Sequence, residues 1–329
     1  MKAVLVNAYG GPEALEIAEV PEPHPGPGQV TIQVDHAGVN FAEVTARRGG
    51  LPALAPPFTP GLEVAGRVRE VGPDVAGLQP GDHVAAFTST GGYAEVALAK
   101  ADLTYRLNGL ADAVAPAVLG ALPTIVPTAY ALVAEVGRLR AGEDILIQSA
   151  AGGIGTVAGQ VARALGAGRV LGVVRQSSKA DYARDFGYDD VFVRDGFVEA
   201  ARGATDGRGV DVLLESVGGP TRTESLELLA PLGRMVIFGN SSAGAEDTPV
   251  GGQLRATNRG ILGFGITALA AADPQRLISF ARKAFDLVAD GKVRVDVREE
   301  LPLEQAAEAH RLLESGETQG KLVLRIAGA

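Results

Sequence analysis

From residue 123 to residue 266 the chain alternates between short apolar runs and helical patterns. A helical PTAYALVAEVGRL precedes the strand DILIQSA. Then come the strand RVLGVV, the helix SKADYARDFG, the strands DVFVRD and VDVLLES, the helix RTESLELLAPLG, and the strands RMVIFGN and RGILGFGI. Strands that are apolar throughout have no solvent face. Separated by helices, they read as a parallel sheet covered on both sides. This alternation predicts a doubly wound α/β domain over residues 123–266.

The first hundred residues have a different texture. Short runs such as KAVLVN, ALEIAEV, QVTIQVDHAGVN, VAGRVREVG, DHVAAF and AEVALAK are separated by turns at Gly10-Gly11-Pro12, Pro25-Gly26-Pro27-Gly28 and Pro80-Gly81-Asp82. That spacing predicts an all-β, barrel-like fold. After about residue 267 come a helix (DPQRLISFARKAFDLVADG), a strand (VRVDVREELP), a helix (LEQAAEAHRLLESG) and a final strand, KLVLRI. This tail is expected to return to the first domain, which makes it discontinuous: residues 1–122 and 267–329.

Composition narrows the function. A net charge of −9 disfavours nucleic acid and anionic membranes as partners. There is no cysteine, so disulfides and thiolate-bound metals are excluded, and the four histidines show no chelating spacing. No metal site is expected. The N-terminus does not read as a signal peptide, and no run approaches the roughly 20 apolar residues of a bilayer span. The protein is expected to be cytoplasmic.

The chemistry starts at AAGGIG, which follows the strand DILIQSA and opens a helix, as a dinucleotide fingerprint requires. Gly153, Gly155 and Ala158 match G-x-G-x-x-G/A, and Gly152 adds freedom to the turn. Glycine lets backbone N–H groups approach a pyrophosphate, and the helix end adds roughly half a positive charge. An NAD site places Asp or Glu about 20 residues further on, at the ribose 2′-hydroxyl. Here RVLGVV ends in RQSSK, with no carboxylate before Asp181. Arg175, Ser178 and Lys179 offer donors suited to a 2′-phosphate, with Arg194 within possible reach from the next strand. The expected cofactor is NADPH, held at Gly152, Gly153, Ile154 and Gly155.

These residues belong to a wider pattern. AGVNFAEV (37–44), PGLEVAGRV (60–68), LQPGDHV (78–84), GGYAEVA (91–97), AAGGIGTVAGQVARALGA (150–167), GVDVLLESVGG (209–219), GRMVIFGNSS (233–242) and AHRLLESGETQGKLVL (309–324) occur in order. Together they resemble the zinc-independent branch of the medium-chain dehydrogenase/reductase superfamily, the NADPH:quinone oxidoreductases, over nearly the whole chain. The resemblance implies a GroES-like β-barrel catalytic domain joined to a Rossmann domain, with the active site in the cleft between them. It also implies a homodimer formed through the edge strand RGILGFGI. The zinc-dependent relatives have Cys near the position of Asn40 and His where this chain has Leu62.

The resemblance further assigns Asn40 to the nicotinamide and the acceptor carbonyl, and Thr128, Ser216, Asn240, Ser241, Phe264 and Lys321 to the cofactor cleft. It implies hydride transfer from NADPH to a quinone or similar conjugated carbonyl, without zinc. One departure leaves the acceptor open. The family commonly carries Tyr in an R-x-G-x-Y-P segment, where this chain reads RRGGLP with Leu51. That removes a phenolic donor, and the following LPALAPPFTP suggests an apolar substrate pocket. The alternatives are an enone or enoyl-thioester reductase and a protein that binds NADPH without turnover. No proton donor emerges from the residues alone.

Overall fold

Strand Ile145–Gln148 is central to a six-stranded sheet in the order Asp190–Val193, Val170–Val174, Ile145–Gln148, Val210–Glu215, Leu229–Ile237, Gly260–Gly263. Every pair is parallel. In the computed structural model, which describes residues 1–51, 53–107, 109–244 and 251–326, this sheet belongs to the second of two compact units. The first unit comprises Met1–Ile125, Pro274–Ile278 and Val295–Ala329, and the second Val126–Asp273 and Ser279–Arg294.

In the second unit the strand order, by position in the chain, is 3-2-1-4-5-6, so the winding reverses beside the first strand. Three adjacent strands, Val170–Val174, Ile145–Gln148 and Val210–Glu215, are buried at every position. Their continuous apolar character therefore reflects two covered faces, not a helix. One boundary differs from the sequence reading. The pattern RTESLELLAPLG reads as helix throughout, but the helix Gly219–Glu227 stops and a strand starts at Leu229. Leu229 pairs with Val210, and Leu228, Leu229 and Ala230 are buried. Periodicity alone does not separate a short buried strand from a helical turn. From Ser279 the long helix Pro274–Ala289 packs with this unit, and Gln160 accepts and donates hydrogen bonds at Arg294 beyond its end.

In the first unit the organising strand is Gln29–Val39. It pairs antiparallel with Glu63–Val71, with Val96–Lys100 along its first half, and with Lys321–Arg325 along its second. His83–Phe87 and Thr104–Arg106 extend the sheet on one side, and Val297–Pro302 on the other. The C-terminal strand thus does lie among N-terminal ones. Val30, Ile32, Val34, Val64, Val84, Leu322 and Leu324 form the core of this unit.

Register decides what meets at one corner of that sheet. Val39 lies opposite Leu322 and Ala37 opposite Val64. Asn40, Lys321 and Glu63 each stand one residue beyond these pairs. Three polar residues far apart in the chain are therefore brought to one place by strand pairing.

Candidate active site

The helix Phe41–Arg47 starts at this corner, with Asn40 as its N-cap and Glu43 completing a capping box. The Asn40 backbone N–H donates to Glu43 Oε2 at 2.8 Å, and its side-chain amide donates to Glu43 Oε1 at 3.3 Å and to Glu63 Oε1 at 3.0 Å. Lys321 Nζ donates to Asn40 Oδ1 at 2.5 Å and to the Val39 carbonyl at 2.8 Å, and pairs with Glu63 Oε1 at 2.7 Å. The backbone N–H of Leu62 donates to Glu43 Oε1 and that of Thr124 to Glu63 Oε2. Gly38 is required for this packing, since a Cβ there would sit 2.2 Å from Glu63 Oε1.

The corner holds two carboxylates against one ammonium, and Glu43, Glu63 and Lys321 are all buried. Burial pushes the Glu43 carboxyl up to about 7, outweighing the Lys321 charge and the Leu62 and Asn40 hydrogen bonds that favour its ionised form. Glu43 also borders a small apolar pocket, with Ala42, Ala46, Leu51, Leu54 and Phe58. The apolar segment expected to form a pocket does supply Leu51, Leu54, Phe58 and Pro60 to it, while Pro52 lies outside the described residues. Nearby, Tyr93 and His310 are buried as a pair, with the Tyr93 hydroxyl 3.3 Å from Nε2. Burial lowers His310 to about 3, so its ring is neutral.

The second unit gathers a different set, at the carboxyl ends of its parallel strands. Gly152 is the N-cap of the helix Gly153–Ala164 and has no side chain to satisfy the first turn, whose N–H groups have no partners within the helix. Gly153, Ile154 and Gly155 form that turn. A Cβ on Gly155 would lie 2.3 Å from the Ser149 carbonyl and 2.8 Å from the Ala150 backbone, so only glycine lets strand and helix approach this closely.

After the second strand come Arg175 and Ser178, both exposed, and Lys179, which is buried. After the third stands Arg194, half-buried, with its Nε unpartnered. Burial and the neighbouring Arg175 charge hold Arg194 below the usual guanidinium range.

Ser216 follows the fourth strand, with its hydroxyl 3.1 Å from that of Ser149. Asn240 and Ser241 follow the fifth: Ser241 N–H donates to the Ser216 carbonyl, and Asn240 Nδ2 to the Gly244 carbonyl. Phe264, partly buried, follows the sixth, its N–H bonded to the Ile237 carbonyl. Thr128 is buried in the helix Leu122–Tyr130, its hydroxyl without a partner. Carboxyl ends of parallel strands beside a reversal of winding are where open α/β sheets bind ligands.

Two family models match this chain: an alcohol dehydrogenase GroES-like domain over residues 26–109 and a zinc-binding dehydrogenase over residues 186–324. A quinone oxidoreductase of Pseudomonas aeruginosa is 33% identical over 98% of this chain and 99% of its own length. A quinone oxidoreductase of Escherichia coli, solved as a complex with NADPH, superposes with a TM-score of 0.90 at 31% identity, covering 99% of this chain and 100% of that one. The chain belongs to the quinone oxidoreductase family of medium-chain dehydrogenases/reductases. It is an oxidoreductase with a GroES-like domain and a Rossmann domain. A mycocerosic acid synthase-like polyketide synthase of Mycolicibacterium smegmatis is also 33% identical, over 98% of this chain but only 15% of that much longer protein.

Within that family frame, the structure brings the expected residues into two groups. Asn40 and Lys321 meet in the first unit. Arg175, Ser178, Lys179, Arg194, Ser216, Asn240, Ser241 and Phe264 join the glycine turn at one end of the second sheet, and Thr128 lies in the helix that enters this unit.

Sequence reasoning missed several others. Glu43 was legible as N-x-x-E, an N-cap followed three residues later by Glu. Glu215 and Arg222 form a buried ion pair at 2.7 Å. Glu215 also accepts the N–H groups of Val217 and Gly218, and Arg222 donates to the Gly239 carbonyl. This pair ties the Ser216 loop to the Asn240 loop, and nothing local in the sequence announces it.

Proposed function

We propose that the chain is an NADPH-dependent reductase that transfers hydride to a quinone or similar conjugated carbonyl without zinc. The observation that carries the cofactor choice is the Arg175–Arg194 pair. The guanidiniums of Arg175 and Arg194 stand at the ends of adjacent strands, the Arg175 charge outweighs those of Asp195 and Glu215 on Arg194, and Arg194 keeps an unpartnered Nε. NADP chemistry needs a cationic cradle at this place, where NAD sites have a carboxylate. Arg175, Ser178, Lys179 and Arg194 hold the 2′-phosphate. Gly152, Gly153, Ile154 and Gly155 present the helix end to the pyrophosphate. Thr128, Ser216, Asn240, Ser241 and Phe264 border the rest of the cofactor, and Asn40, oriented by Lys321, Glu43 and Glu63, serves the nicotinamide and the acceptor carbonyl.

NADPH supplies the hydride, and the residues of this chain position it and exclude water. The donor set does not suit zinc. The chain has no cysteine, Asn40 and Leu62 stand where zinc-dependent relatives have Cys and His, and no cluster among the described residues could hold a metal.

A second acceptor class has specific support. Leu51 lines the apolar pocket where the family commonly places Tyr, and the polyketide synthase similarity spans nearly the whole chain. An enone or enoyl thioester is therefore the alternative acceptor. The strand Gly260–Gly263 forms one edge of the sheet and is partly exposed, so pairing of two copies along it is the proposed route to a homodimer. No described helix is long and apolar enough to cross a membrane; a cytoplasmic location belongs to the same proposal.

Fluorescence titration with NADPH and NADH, followed by turnover with 9,10-phenanthrenequinone, an aliphatic enone and a 2-enoyl thioester, tests the reading. Preferential NADPH binding with rapid quinone reduction supports it. Reduction of the thioester alone would replace the first acceptor class with the second, and binding without turnover would leave a non-catalytic NADPH protein.

A further inference from the structure

Ser149 leaves the first strand of the parallel sheet in the left-handed conformation, with φ at +56°. The turn that follows holds it there: the Ala150 N–H donates to the Val173 carbonyl at 3.0 Å, and the Gly152 N–H to the Ser149 carbonyl at 2.9 Å. Glycine takes up this conformation freely, whereas a Cβ makes it costly. The Ser149 side chain is exposed, and its hydroxyl lies 3.1 Å from that of the half-buried Ser216. A hydrogen bond within reach of water adds little to the fold, so it does not account for serine at a position suited to glycine. Backbone strain of this kind gathers where a ligand is handled.

The two hydroxyls stand at a particular place. Ser149 follows Ile145–Gln148 and Ser216 follows Val210–Glu215, the adjacent parallel strands between which the winding of the sheet reverses. Strand order sets which part of a dinucleotide passes here. Arg175, Ser178 and Lys179, at the 2′-phosphate, follow Val170–Val174, which pairs with the opposite side of Ile145–Gln148. The glycine turn follows Ile145–Gln148 itself and takes the pyrophosphate. The next part in the same direction is the second ribose, the one that carries the nicotinamide.

The chemistry of the pair fits a ribose. One hydroxyl donates to the other, which leaves one donor and free acceptor lone pairs. A phosphate can use only the donor. A ribose diol, whose hydroxyls donate and accept, uses both.

We propose that Ser149 is a further cofactor-binding residue, and that its hydroxyl and that of Ser216 together hold the diol of the nicotinamide-side ribose. The inference deepens the NADPH reading and rests on it. Nothing in it depends on the first unit, since both serines and the glycine turn belong to the second.

Calorimetric titration with two fragments of NADPH tests it. The first, 2′-phospho-ADP, ends at the pyrophosphate; the second, 2′-phospho-ADP-ribose, adds the second ribose without the nicotinamide. Ser149→Ala and Ser149→Gly are each expected to bind NADPH and the ribose-bearing fragment about fivefold more weakly. Both variants should bind 2′-phospho-ADP as the wild type does. Urea denaturation separates them: Ser149→Gly is the more stable, because glycine releases the backbone, yet it loses the same affinity as Ser149→Ala. Affinity that followed stability would mark a purely structural serine and overturn the inference. Unchanged affinity in Ser149→Ala overturns it too, as does a loss already present with 2′-phospho-ADP, which would put the hydroxyl on the pyrophosphate. All three leave the NADPH reading standing. A wild type that binds neither fragment nor NADPH overturns that reading as well.

Discussion

Lys321 Nζ lies 2.5 Å from Asn40 Oδ1 across 281 residues of sequence, and the same ammonium is the counter-charge of Glu63. One side chain thus fastens the last strand, orients the N-cap of the helix Phe41–Arg47 and neutralises a buried carboxylate. Replacing it with Met is expected to destabilise the protein by about 3–5 kcal/mol, because an uncompensated charge remains buried. The double variant Lys321→Met/Glu63→Gln is expected to recover part of that loss. Urea denaturation of the wild type and the two variants checks both statements. Equal stability of the single and double variants would contradict them.

Glu43 and His310 make the stability of the first unit depend on pH in opposite directions. The folded Glu43 carboxyl stays protonated up to about pH 7 against an ordinary value of 4.5, so its contribution is present below pH 4.5 and is lost as pH rises towards 7. The loss amounts to about 3 kcal/mol. His310 is neutral down to about pH 3 against an ordinary 6.5, so its contribution is present above pH 6.5 and is lost as pH falls towards 3, by about 5 kcal/mol. Between pH 4.5 and 6.5 the two slopes cancel. In His310→Asn the Glu43 slope stands alone there, and stability rises as pH falls relative to the wild type. Denaturation midpoints measured across this range report the difference, from which the surface carboxylates drop out.

The sheet of the second unit was legible because burial on both faces leaves a one-dimensional signature: Ile145–Gln148 and Val210–Glu215 are buried along their whole lengths. The glycine turn was legible for a similar reason, since backbone approach demands a residue type at a fixed spacing. The Glu43–Glu63–Lys321 corner was not. Its members meet only through the register of three strands, and Lys321 was named in advance by resemblance alone. Glu215 and Arg222 escaped because the pair joins the end of a strand to the following helix, so no single element's period links them. The helix that ends at Glu227 was over-extended because Leu228, Leu229 and Ala230 satisfy either pattern until the pairing with Val210 is known.

Arg175, Lys179 and Arg194 are expected to discriminate between the two nicotinamide cofactors. Each Ala substitution removes a charge-assisted contact to a phosphate that NADH lacks, at a cost of about 1–3 kcal/mol in NADPH binding. NADH affinity should change little at Arg175 and Arg194. Fluorescence titration of both cofactors against each variant measures the ratio. Equal losses for NADPH and NADH would remove the 2′-phosphate assignment.

Gly155→Ala is expected to separate the fold of the sheet from its use. The added methyl would stand 2.3 Å from the Ser149 carbonyl and 2.8 Å from the Ala150 backbone, so the strand end and the helix start must move apart. Overpacking of this kind costs about 1–3 kcal/mol. The displacement falls on the turn itself. Tyr188 donates its buried hydroxyl to the Gly155 carbonyl at 2.6 Å, and that bond resists the same movement. A folded Gly155→Ala protein with both NADPH and NADH binding weakened is the expected result, since the pyrophosphate is common to the two. Tyr188→Phe, which frees the turn to shift, is expected to restore part of the stability lost in Gly155→Ala. Additive losses in the double variant would show that the methyl is absorbed elsewhere.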